Sequence, residues 1–284
     1  MQLRRSTAEI FVPDGLPPAE ALARVTHLGI GAHHDDLEFM AYHGISECFM
    51  SDAMWFGGVT CTDGSGSARS GAYASCEDGA MRAIRRREQN AAAIVGRFAA
   101  MVQLDHSSGS VKAENGELVS DLGEVLRTAR PEVVYTHNPA DKHETHVAVF
   151  AAVLKALREL PPALQPKAVY GCEVWRDLDW VLDSEKVALD VSAREHLALA
   201  LSGIFDSQIS GGKRYDLATL GRRRANATFF QSHATDQAEM LSFALDLMPL
   251  VRDPALDVID YTCGFIDRLK ADVRGKLERY FHPR

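Results

Sequence analysis

The chain has 284 residues, of which 46% are hydrophobic and 25% charged, and its formal net charge is -8. This composition predicts a globular protein with a large core and argues against a nucleic-acid partner, because no basic stripe is available to follow a phosphate backbone. The sequence has no uncharged apolar stretch of roughly 18 residues, so we predict no membrane span, and its start lacks the apolar core of a signal peptide. We therefore expect a cytoplasmic protein.

The predicted elements alternate between strand and helix along the chain. After a proline-containing arm over residues 1–24, apolar and β-branched runs predict strands near 25–30, 53–61, 101–104, 131–136, 167–175 and 186–191. Helical periodicity predicts helices over 78–99, 120–130 and 147–160, and residues 192–195 match a capping box that opens another helix. The alternation predicts a three-layer α/β fold with a mainly parallel sheet and helices on both faces.

We expect one domain over residues 1–284. The segment from about 210 to 284 is predicted to form helices, including one through residues 240–248, that pack on the sheet or on another subunit. The sequence leaves the oligomeric state open, so a homo-oligomer remains one of the alternatives.

A first polar cluster follows the strand near 25–30. His33, His34, Asp35, Asp36 and Glu38 lie within six residues, and such side chains repel or are costly to bury unless they face water, hold a proton or surround a cation. A bound metal ion would account for all of these side chains at once, because it binds imidazoles and carboxylates together. The five cysteines are scattered and never spaced Cys-x-x-Cys, so they do not suggest a thiolate zinc site.

A second polar cluster follows the strand near 131–136. His143 and His146 are three residues apart at the start of a predicted helix and can project from one face. If the two strands are neighbours, His33, Asp36 and His146 can provide the three ligands of a catalytic zinc that keeps a position for water. Asp35 could then accept a proton from that water, and His143 could stabilise an oxyanion or protonate a leaving nitrogen.

Each residue also has a structural alternative. A histidine near a helix start is more often a cap or a surface residue than a ligand, and aspartates such as Asp35 and Asp36 readily cap helices. His137 is interpreted as structural, although it lies close enough to the site to support a ligand. The metal hypothesis is favoured because two His/Asp clusters each follow a predicted strand, which the separate alternatives do not require.

Two further segments are candidates for substrate binding. Arg85 lies in the helix over 78–99 and could point its guanidinium at the crevice instead of at solvent. Trp175, Arg176 and Asp177 follow a predicted strand and could form a sugar-binding wall, because an aromatic face packs on a pyranose and carboxylates bind its hydroxyls. The alternative for Trp175 and Trp180 is a place in the core.

The two polar clusters resemble the signatures of the LmbE-like or PIG-L N-acetylglucosamine deacetylases. The family motif Ala-His-Pro-Asp-Asp-Glu is similar to residues 32–38, and Asp-x-His-Pro-Asp-His is similar to residues 141–146. Weaker likenesses extend over most of residues 25–210, at the turn 62–64, at Arg85 with Glu88, and at Ser207 with Gln208. The resemblance implies a Rossmann-like fold with Asp35 as general base, His143 as acid or oxyanion partner, and zinc held by His33, Asp36 and His146.

The chain departs from these motifs at several positions. In the first motif Leu37 stands between Asp36 and Glu38, so the family's acidic residue does not follow Asp36 directly. His34 replaces a proline, so the loop loses a rigid φ and gains a further donor or ligand. Glu144 and Thr145 replace proline and aspartate, which removes a carboxylate that could orient a neighbouring histidine. The predicted metal ligands are retained, whereas substrate preference and the tuning of His143 become less secure.

Together these features predict a zinc-dependent hydrolase that removes an acetyl group from an N-acetylated amino sugar or its conjugate by attack of a zinc-activated water. The partner is then a small N-acetylated molecule, and another divalent metal could replace zinc, because His and Asp ligands also suit iron, manganese or cobalt. Two alternatives stay open. One is a non-catalytic sugar- or metabolite-binding protein on the same fold, and the other is an amidase acting on a non-sugar small molecule.

Overall fold

The computed structural model describes residues 1–113 and 116–282. Its strands are β1 (Glu9–Phe11), β2 (His27–Gly31), β3 (Phe56–Thr62), β4 (Ala100–His106), β5 (Val133–His137), β6 (Ala168–Cys172), β7 (Val187–Asp190) and β8 (Leu241–Asp246). They form one sheet in the order β1-β4-β3-β2-β5-β6-β8-β7. The five strands from β4 to β6 in this order are parallel, and β1, β8 and β7 are antiparallel to their neighbours.

Helices cover both faces of this sheet. They are α1 (Pro18–Ala23), α2 (Asp36–Met40), α3 (Tyr42–Cys48), α4 (Asp78–Val95), α5 (Ser108–Lys112), α6 (Gly116–Ala129), α7 (Glu144–Arg158), α8 (Glu195–Gly203), α9 (Asp206–Ile209), α10 (Tyr215–Phe229), α11 (Met248–Arg252) and α12 (Val258–Phe281). Successive strand residues point to opposite faces, and Val134 and Tyr135 accordingly belong to two different hydrophobic clusters. The predicted three-layer, mainly parallel α/β fold is confirmed.

The strand order reverses between β2 and β5. The chain runs from β2 outward to β3 and β4, then returns to the other side of β2 to form β5 and β6. In open α/β sheets, ligands bind outside the carboxyl ends of the strands at such a switch point. His27 pairs with Val133 and Gly29 with Tyr135, so the ends of β2 and β5 leave the sheet side by side.

The C-terminal third of the chain departs from the predicted helical segment. Residues Leu241–Asp246 form β8, which inserts between β6 and β7, so the prediction of a helix through 240–248 is wrong. All but the last residue of β8 are buried, and a short continuous apolar run does not distinguish a buried strand from a buried helix. Pairing with strands on both sides decides the outcome.

Two smaller expectations also change. The arm over residues 1–24 contributes an edge strand, because β1 pairs with β4. The predicted capping box does not form: α8 begins at Glu195 after a left-handed Arg194, and Ser192 Oγ instead accepts hydrogen bonds from the backbone N–H groups of Glu239 and Met240. In the described part of the chain, no helix combines the length and the apolar character needed to cross a membrane.

Candidate metal centre

The loop after β2 is held in place by both neighbouring strands. The backbone N–H of Ala32 donates to His137 Nε2 at 2.9 Å, on the side of β5. Its carbonyl accepts from Thr62 N at 2.9 Å and from Thr62 Oγ1 at 2.8 Å, on the side of β3. The following residue, His33, therefore begins from a fixed position at the switch point.

The structure brings His33, Asp36 and His146 together. His33 Nδ1 lies 3.1 Å from His146 Nε2, although 113 positions separate the two residues in the sequence. The Asp36 carboxylate lies 3.4 Å from His33 Nδ1 through Oδ2 and 3.5 Å from His146 Nε2 through Oδ1. Nitrogen and oxygen ligands bind zinc at about 2.0–2.1 Å in a tetrahedron, whose ligand atoms are then about 3.3 Å apart. The three side chains fit a divalent ion of this size.

The ionisation of Asp36 and His146 is coupled through their contact. Burial favours the neutral carboxyl, but the charges of His146 and His137 outweigh it and hold the pKa of Asp36 well below its usual range. Burial likewise disfavours a charged His146, but Asp36 and Asp141 outweigh it and raise the pKa of His146. These carboxylates attract a cation at this point, and a metal ion binding there displaces the proton of the imidazole.

Asp141 supports His146 from behind. Its Oδ1 lies 3.4 Å from His146 Nδ1 and accepts the backbone N–H of His143 at 2.9 Å. Its Oδ2 accepts the backbone N–H of Trp175 at 3.0 Å. A carboxylate behind a ligating histidine fixes its ring orientation and raises its basicity. The sequence analysis quoted Asp141 within the second motif but gave it no role, although this residue supplies the orienting carboxylate that Thr145 lacks.

His137 packs against the same group of residues. Its ring stacks on His146 with centroids 4.0 Å apart, and its Nε2 lies 3.3 Å from Asp36 Oδ2. Two trios of the described residues have ligand atoms close enough to share an ion: Asp36, His137 and His146, and His33, His143 and His146. However, His137 Nε2 already accepts the N–H of Ala32, and burial lowers its pKa to about 4. A neutral His137 with this tautomer has no proton on Nε2 to donate to Asp36, so it packs against His146 rather than acting as a ligand.

Asp35, next to the candidate ligand Asp36, has an unusual backbone conformation. Its φ is 93°, in the left-handed region. The N–H of Asp35 donates to Gln89 Oε1 at 3.2 Å, and Arg85 Nη2 donates to its Oδ2 at 3.0 Å. Burial raises the pKa of Asp35 to about 6, despite the opposing charge of Arg85.

A chain of contacts runs outward from Asp35. Arg85 Nη1 lies 3.5 Å from Glu88 Oε2, and Glu88 accepts hydrogen bonds from Ser207 N and Ser207 Oγ, both at 2.7 Å. The weaker family likenesses at Arg85, Glu88 and Ser207 thus belong to one hydrogen-bond network. Arg85 is almost fully buried, and it both lines the cleft and holds Asp35.

His34 points away from the metal ligands. Its Nε2 lies 3.0 Å from Gln103 Oε1, and burial lowers its pKa well below the usual value. Gly64 lies against the ring with a φ of +72°, and a Cβ there would be 2.9 Å from His34 Nδ1. The histidine that replaces the family's proline is therefore a packing residue beneath the Gly64 turn.

His143 lies at the N-terminus of α7 beside the three ligand residues. Its Nδ1 accepts the backbone N–H of Thr145 at 3.3 Å, so a neutral ring carries its proton on Nε2. Burial, together with the neighbouring His33 and His146, lowers the pKa of His143 to about 4. The side chain is thus a neutral hydrogen-bond donor at neutral pH.

These residues open into a cleft of about 660 Å³. Trp175 lines it, with its ring centroid 5.9 Å from that of His143 and 6.1 Å from that of Tyr215. Arg176 and Asp177 are not among the lining residues, and Arg176 Nε donates to the carbonyl of Ala140 at 2.6 Å.

Trp180 packs on Phe265 in the core, with ring centroids 6.3 Å apart. The structure therefore brings Arg85 and Trp175 to the cleft but not the other two residues predicted to bind substrate. Three lining residues that the sequence analysis did not assign to the site are Lys213, Arg222 and Arg223.

Comparison with known families supports the predicted resemblance. Residues 28–157 match the PIG-L family, described as GlcNAc-PI de-N-acetylase. This segment contains both polar clusters, and the match ends within α7, before the C-terminal part of the cleft. No curated protein matches the chain in sequence.

Several solved structures share the fold at low sequence identity. The conserved protein TT1542 from Thermus thermophilus has 18% identity and a TM-score of 0.60, covering 82% of this chain and 100% of its own. The 4-carboxy-2-hydroxymuconate hydratase of Pseudomonas putida has 17% identity and a TM-score of 0.62, covering 78% and 96%. The N,N'-diacetylchitobiose deacetylase of Pyrococcus horikoshii has 18% identity and a TM-score of 0.56, covering 77% and 83%. Because a hydratase and a deacetylase share this fold, the fold alone does not select the reaction.

Proposed function

We propose that this chain, whose residues 28–157 belong to the PIG-L family, is a metal-dependent hydrolase that removes the acetyl group from an N-acetylated amino sugar or its conjugate. The observation that supports this most directly is the spacing of His33, Asp36 and His146, whose ligand atoms lie 3.1 to 3.5 Å apart at the switch point of the sheet. The family match supplies the reaction class. The P. horikoshii deacetylase, which acts on an acetylated sugar, supports the substrate class.

His33, Asp36 and His146 would hold the ion, and zinc is our first choice. One carboxylate and two imidazoles leave part of the charge of a dication uncompensated. When bound, such an ion supplies a Lewis acid that polarises an amide carbonyl and lowers the pKa of water. Asp141 orients His146 from the protein side, and the ring of His137 stacks on that of His146.

Asp35 would act as the general base. It lines the cleft together with His33 and Asp36. Arg85 and Gln89 fix its position through the two hydrogen bonds described above. Asp35 would take the proton of the attacking water and then deliver it to the leaving nitrogen, so that acetate and a free amine are released.

His143 would stabilise the negative charge that develops on the carbonyl oxygen. Its ring centroid lies 4.8 Å from that of His33, and its Nδ1 is occupied by the N–H of Thr145. The remaining Nε2–H of a neutral imidazole donates without the cost of first binding a proton. Of the two roles that the sequence left open for His143, we therefore favour the oxyanion partner.

The proposal is tested by measuring acetate and free amine after the purified protein has been stripped of metal and reloaded with zinc, manganese, cobalt or iron. The substrates are N-acetylglucosamine, its methyl glycoside and N,N'-diacetylchitobiose. We expect acetate release that depends on added metal and that falls strongly in Asp35→Asn.

Two results would contradict the proposal. Acetate release that survives exhaustive chelation excludes metal dependence, and release that survives Asp35→Asn excludes the proposed base. Tight binding of these sugars without turnover by the metal-loaded protein would favour the non-catalytic alternative. A hydration reaction, as in the P. putida neighbour, would release neither acetate nor amine.

A further inference from the structure

The far wall of the cleft is built by parts of the chain outside the family match. Residues 173–175 follow β6, and residues 213–223 lead into and form the first half of α10. Both segments line the cleft, and both lie beyond residue 157, where the match to the family ends. The family match therefore says nothing about the properties of these two segments, which we call the outer wall.

Positive charge is concentrated in the cleft although the chain as a whole is acidic. The basic residues that line it are Arg85, Lys112, Lys213, Arg214, Arg222 and Arg223. The acidic residues that line it are Asp35, Asp36 and Glu173. A formal net charge of -8 on the chain makes this local excess of cations unusual, and a cleft lined by one sign of charge concentrates ligands of the opposite sign.

The acidic residues of the cleft form no ion pair with Lys213 or Arg222 among the described residues. Asp35 is paired with Arg85, and Asp36 lies among the proposed metal ligands. Glu173, itself part of the outer wall, is buried, and its Oε1 accepts hydrogen bonds from Asn226 Nδ2 at 2.5 Å and from the backbone N–H of Phe243 at 3.0 Å. Burial raises the pKa of Glu173, and the hydrogen bond from Phe243 and the charge of Arg222 oppose this shift.

Three cations of the outer wall lack a carboxylate partner among the described residues, and one of them, Arg223, is buried and donates to the backbone carbonyls of Glu38 and Phe39. The ion pairs of residues 213–224 are Arg214 with Asp216 at 2.7 Å and Arg224 with Glu195 at 2.5 Å. Lys213 instead lies with its Nζ 5.1 Å from the centroid of the Trp175 ring. Arg222 uses Nη1 to donate to the carbonyl of Val174, and a guanidinium has further N–H donors to offer.

Lys213 and Arg222 therefore flank the loop that carries Trp175, which in turn contacts His143 beside the metal ligands. We propose that the substrate carries an anionic group, a phosphate or a carboxylate, attached to the acylated amino sugar, and that Lys213 and Arg222 bind this group. The proposal rests on the function proposed above. Lys213 and Arg222 line the same cleft as His33, Asp36 and His143, so a substrate in this cleft can contact both sets of residues.

The test compares three N-acetylated sugars with the zinc-loaded protein. N-acetylglucosamine 1-phosphate carries a phosphate, N-acetylmuramic acid carries a carboxylate, and the methyl glycoside of N-acetylglucosamine is neutral. We expect kcat/KM for at least one anionic sugar to exceed that of the neutral sugar by about tenfold or more, since hydrogen bonds to charged groups contribute roughly 1.5–3 kcal/mol. This advantage should shrink as ionic strength rises.

The double variant Lys213→Gln/Arg222→Gln should remove most of the preference for the anionic sugar, mainly through KM. Arg224→Gln is the matched control, because Arg224 lies on the same helix but pairs with Glu195 and does not line the cleft. A preference for phosphate alone or carboxylate alone supports the proposal and identifies the anion. Equal kcat/KM for neutral and anionic sugars, or a preference that the double variant retains, overturns it.

Failure of the proposed function gives a different result. If none of the three sugars is hydrolysed, their dissociation constants are measured by calorimetry with the zinc-loaded protein and with the double variant. Tighter binding of an anionic sugar, lost in the double variant, supports the anion site while rejecting deacetylation of these sugars. Equal binding of neutral and anionic sugars rejects the anion site as well.

Discussion

The candidate metal centre and the outer wall line the same cleft, but their side chains differ in burial and in pairing with other residues. At the candidate metal centre, Asp36 and His146 are almost fully buried and His33 is half-buried, and their ligand atoms lie 3.1 to 3.5 Å apart. On the outer wall, Lys213 is exposed and neither it nor Arg222 has a carboxylate partner among the described residues.

This difference separates side chains that the protein itself holds in place from side chains that are free to bind a ligand. The buried centre is fixed by contacts within the protein, whereas Lys213 and Arg222 are left for a ligand to pair with. The centre also lies within the segment that matches the PIG-L family, and the outer wall lies outside it. We infer that a match to this family over residues 28–157 bears on the proposed reaction more than on the molecule on which the protein acts.

The strongest test of this contrast is Asp36→Ala. Removing the carboxylate leaves two imidazoles without the anionic ligand that attracts a dication, so we expect loss of bound zinc and loss of activity below detection. Metal content is measured by mass spectrometry beside acetate release. Asp177→Ala, which removes a carboxylate that does not line the cleft, is the control and should keep both. Stoichiometric zinc in Asp36→Ala would show that the ion binds elsewhere.

Asp35→Asn should have the next largest effect. Asparagine tolerates the left-handed backbone at this position and still accepts the hydrogen bond from Arg85, but it cannot take up a proton from water. We expect kcat to fall by roughly 10²–10⁴-fold, the usual contribution of a general base, with zinc content unchanged. A smaller loss, or a loss that follows the zinc content, would place Asp35 outside the proton transfer.

Asp141→Asn examines the support behind the ligands. The amide keeps the shape of the side chain but weakens its interaction with His146 Nδ1, so zinc affinity should fall by about 10–100-fold. Competition with a chelator of known affinity measures this, and Asp177→Asn is the matched control. At saturating zinc most of the activity should return. Unchanged affinity would mean that Asp141 only ties the Trp175 loop to α7.

The smallest expected effect concerns Glu173 on the outer wall. Burial raises its pKa above the ordinary value of 4.5, so between the two pKa values the folded protein retains a proton that the unfolded chain has released. Folding stability is therefore lost as the pH rises from about 4.5 through the higher pKa of the folded state. Glu173→Gln removes this loss. The melting temperature of the variant, relative to that of the unaltered protein, should therefore increase as the pH is raised from 5 to 8. Parallel pH profiles for the two proteins would contradict it.

Sequence reasoning predicted that the candidate ligands meet because both clusters follow strand ends. His33 and Asp36 follow the end of β2, His146 lies in α7 after the end of β5, and the alternation of strand and helix predicts that two such ends meet at one edge of the sheet. The choice between the two roles proposed for His143 depends on its hydrogen bond with Thr145, because this bond fixes the tautomer of the ring. The spacing of residues in the sequence does not predict a tautomer. Asp141 was missed because a carboxylate five residues from His146 has no regular helical relation to it.

The outer wall could not be predicted in the same way. Lys213 and Arg222 reach the cleft because α10 packs beside β8, and β8 itself was misassigned as helix. Short apolar runs such as residues 241–246 take their structure from the strands that happen to flank them. Arg176 and Asp177 were predicted to line the cleft because they follow a strand. Trp175 in the same segment lines the cleft, but Arg176 and Asp177 do not.

The position of β8 also sets an order in which the molecule can be completed. Among the described residues, β7 pairs with no strand other than β8. Because β7 ends at Asp190 and β8 begins at Leu241, the ribosome makes β7 roughly fifty residues before its partner strand. During synthesis β7 can therefore complete its pairing only after the chain has been made as far as Asp246. The hydrogen bond from the N–H of Phe243 to Glu173 also forms only after β8 has been made. We expect nascent chains that end before residue 241 to acquire the strands that carry the metal ligands while their substrate pocket stays unfinished.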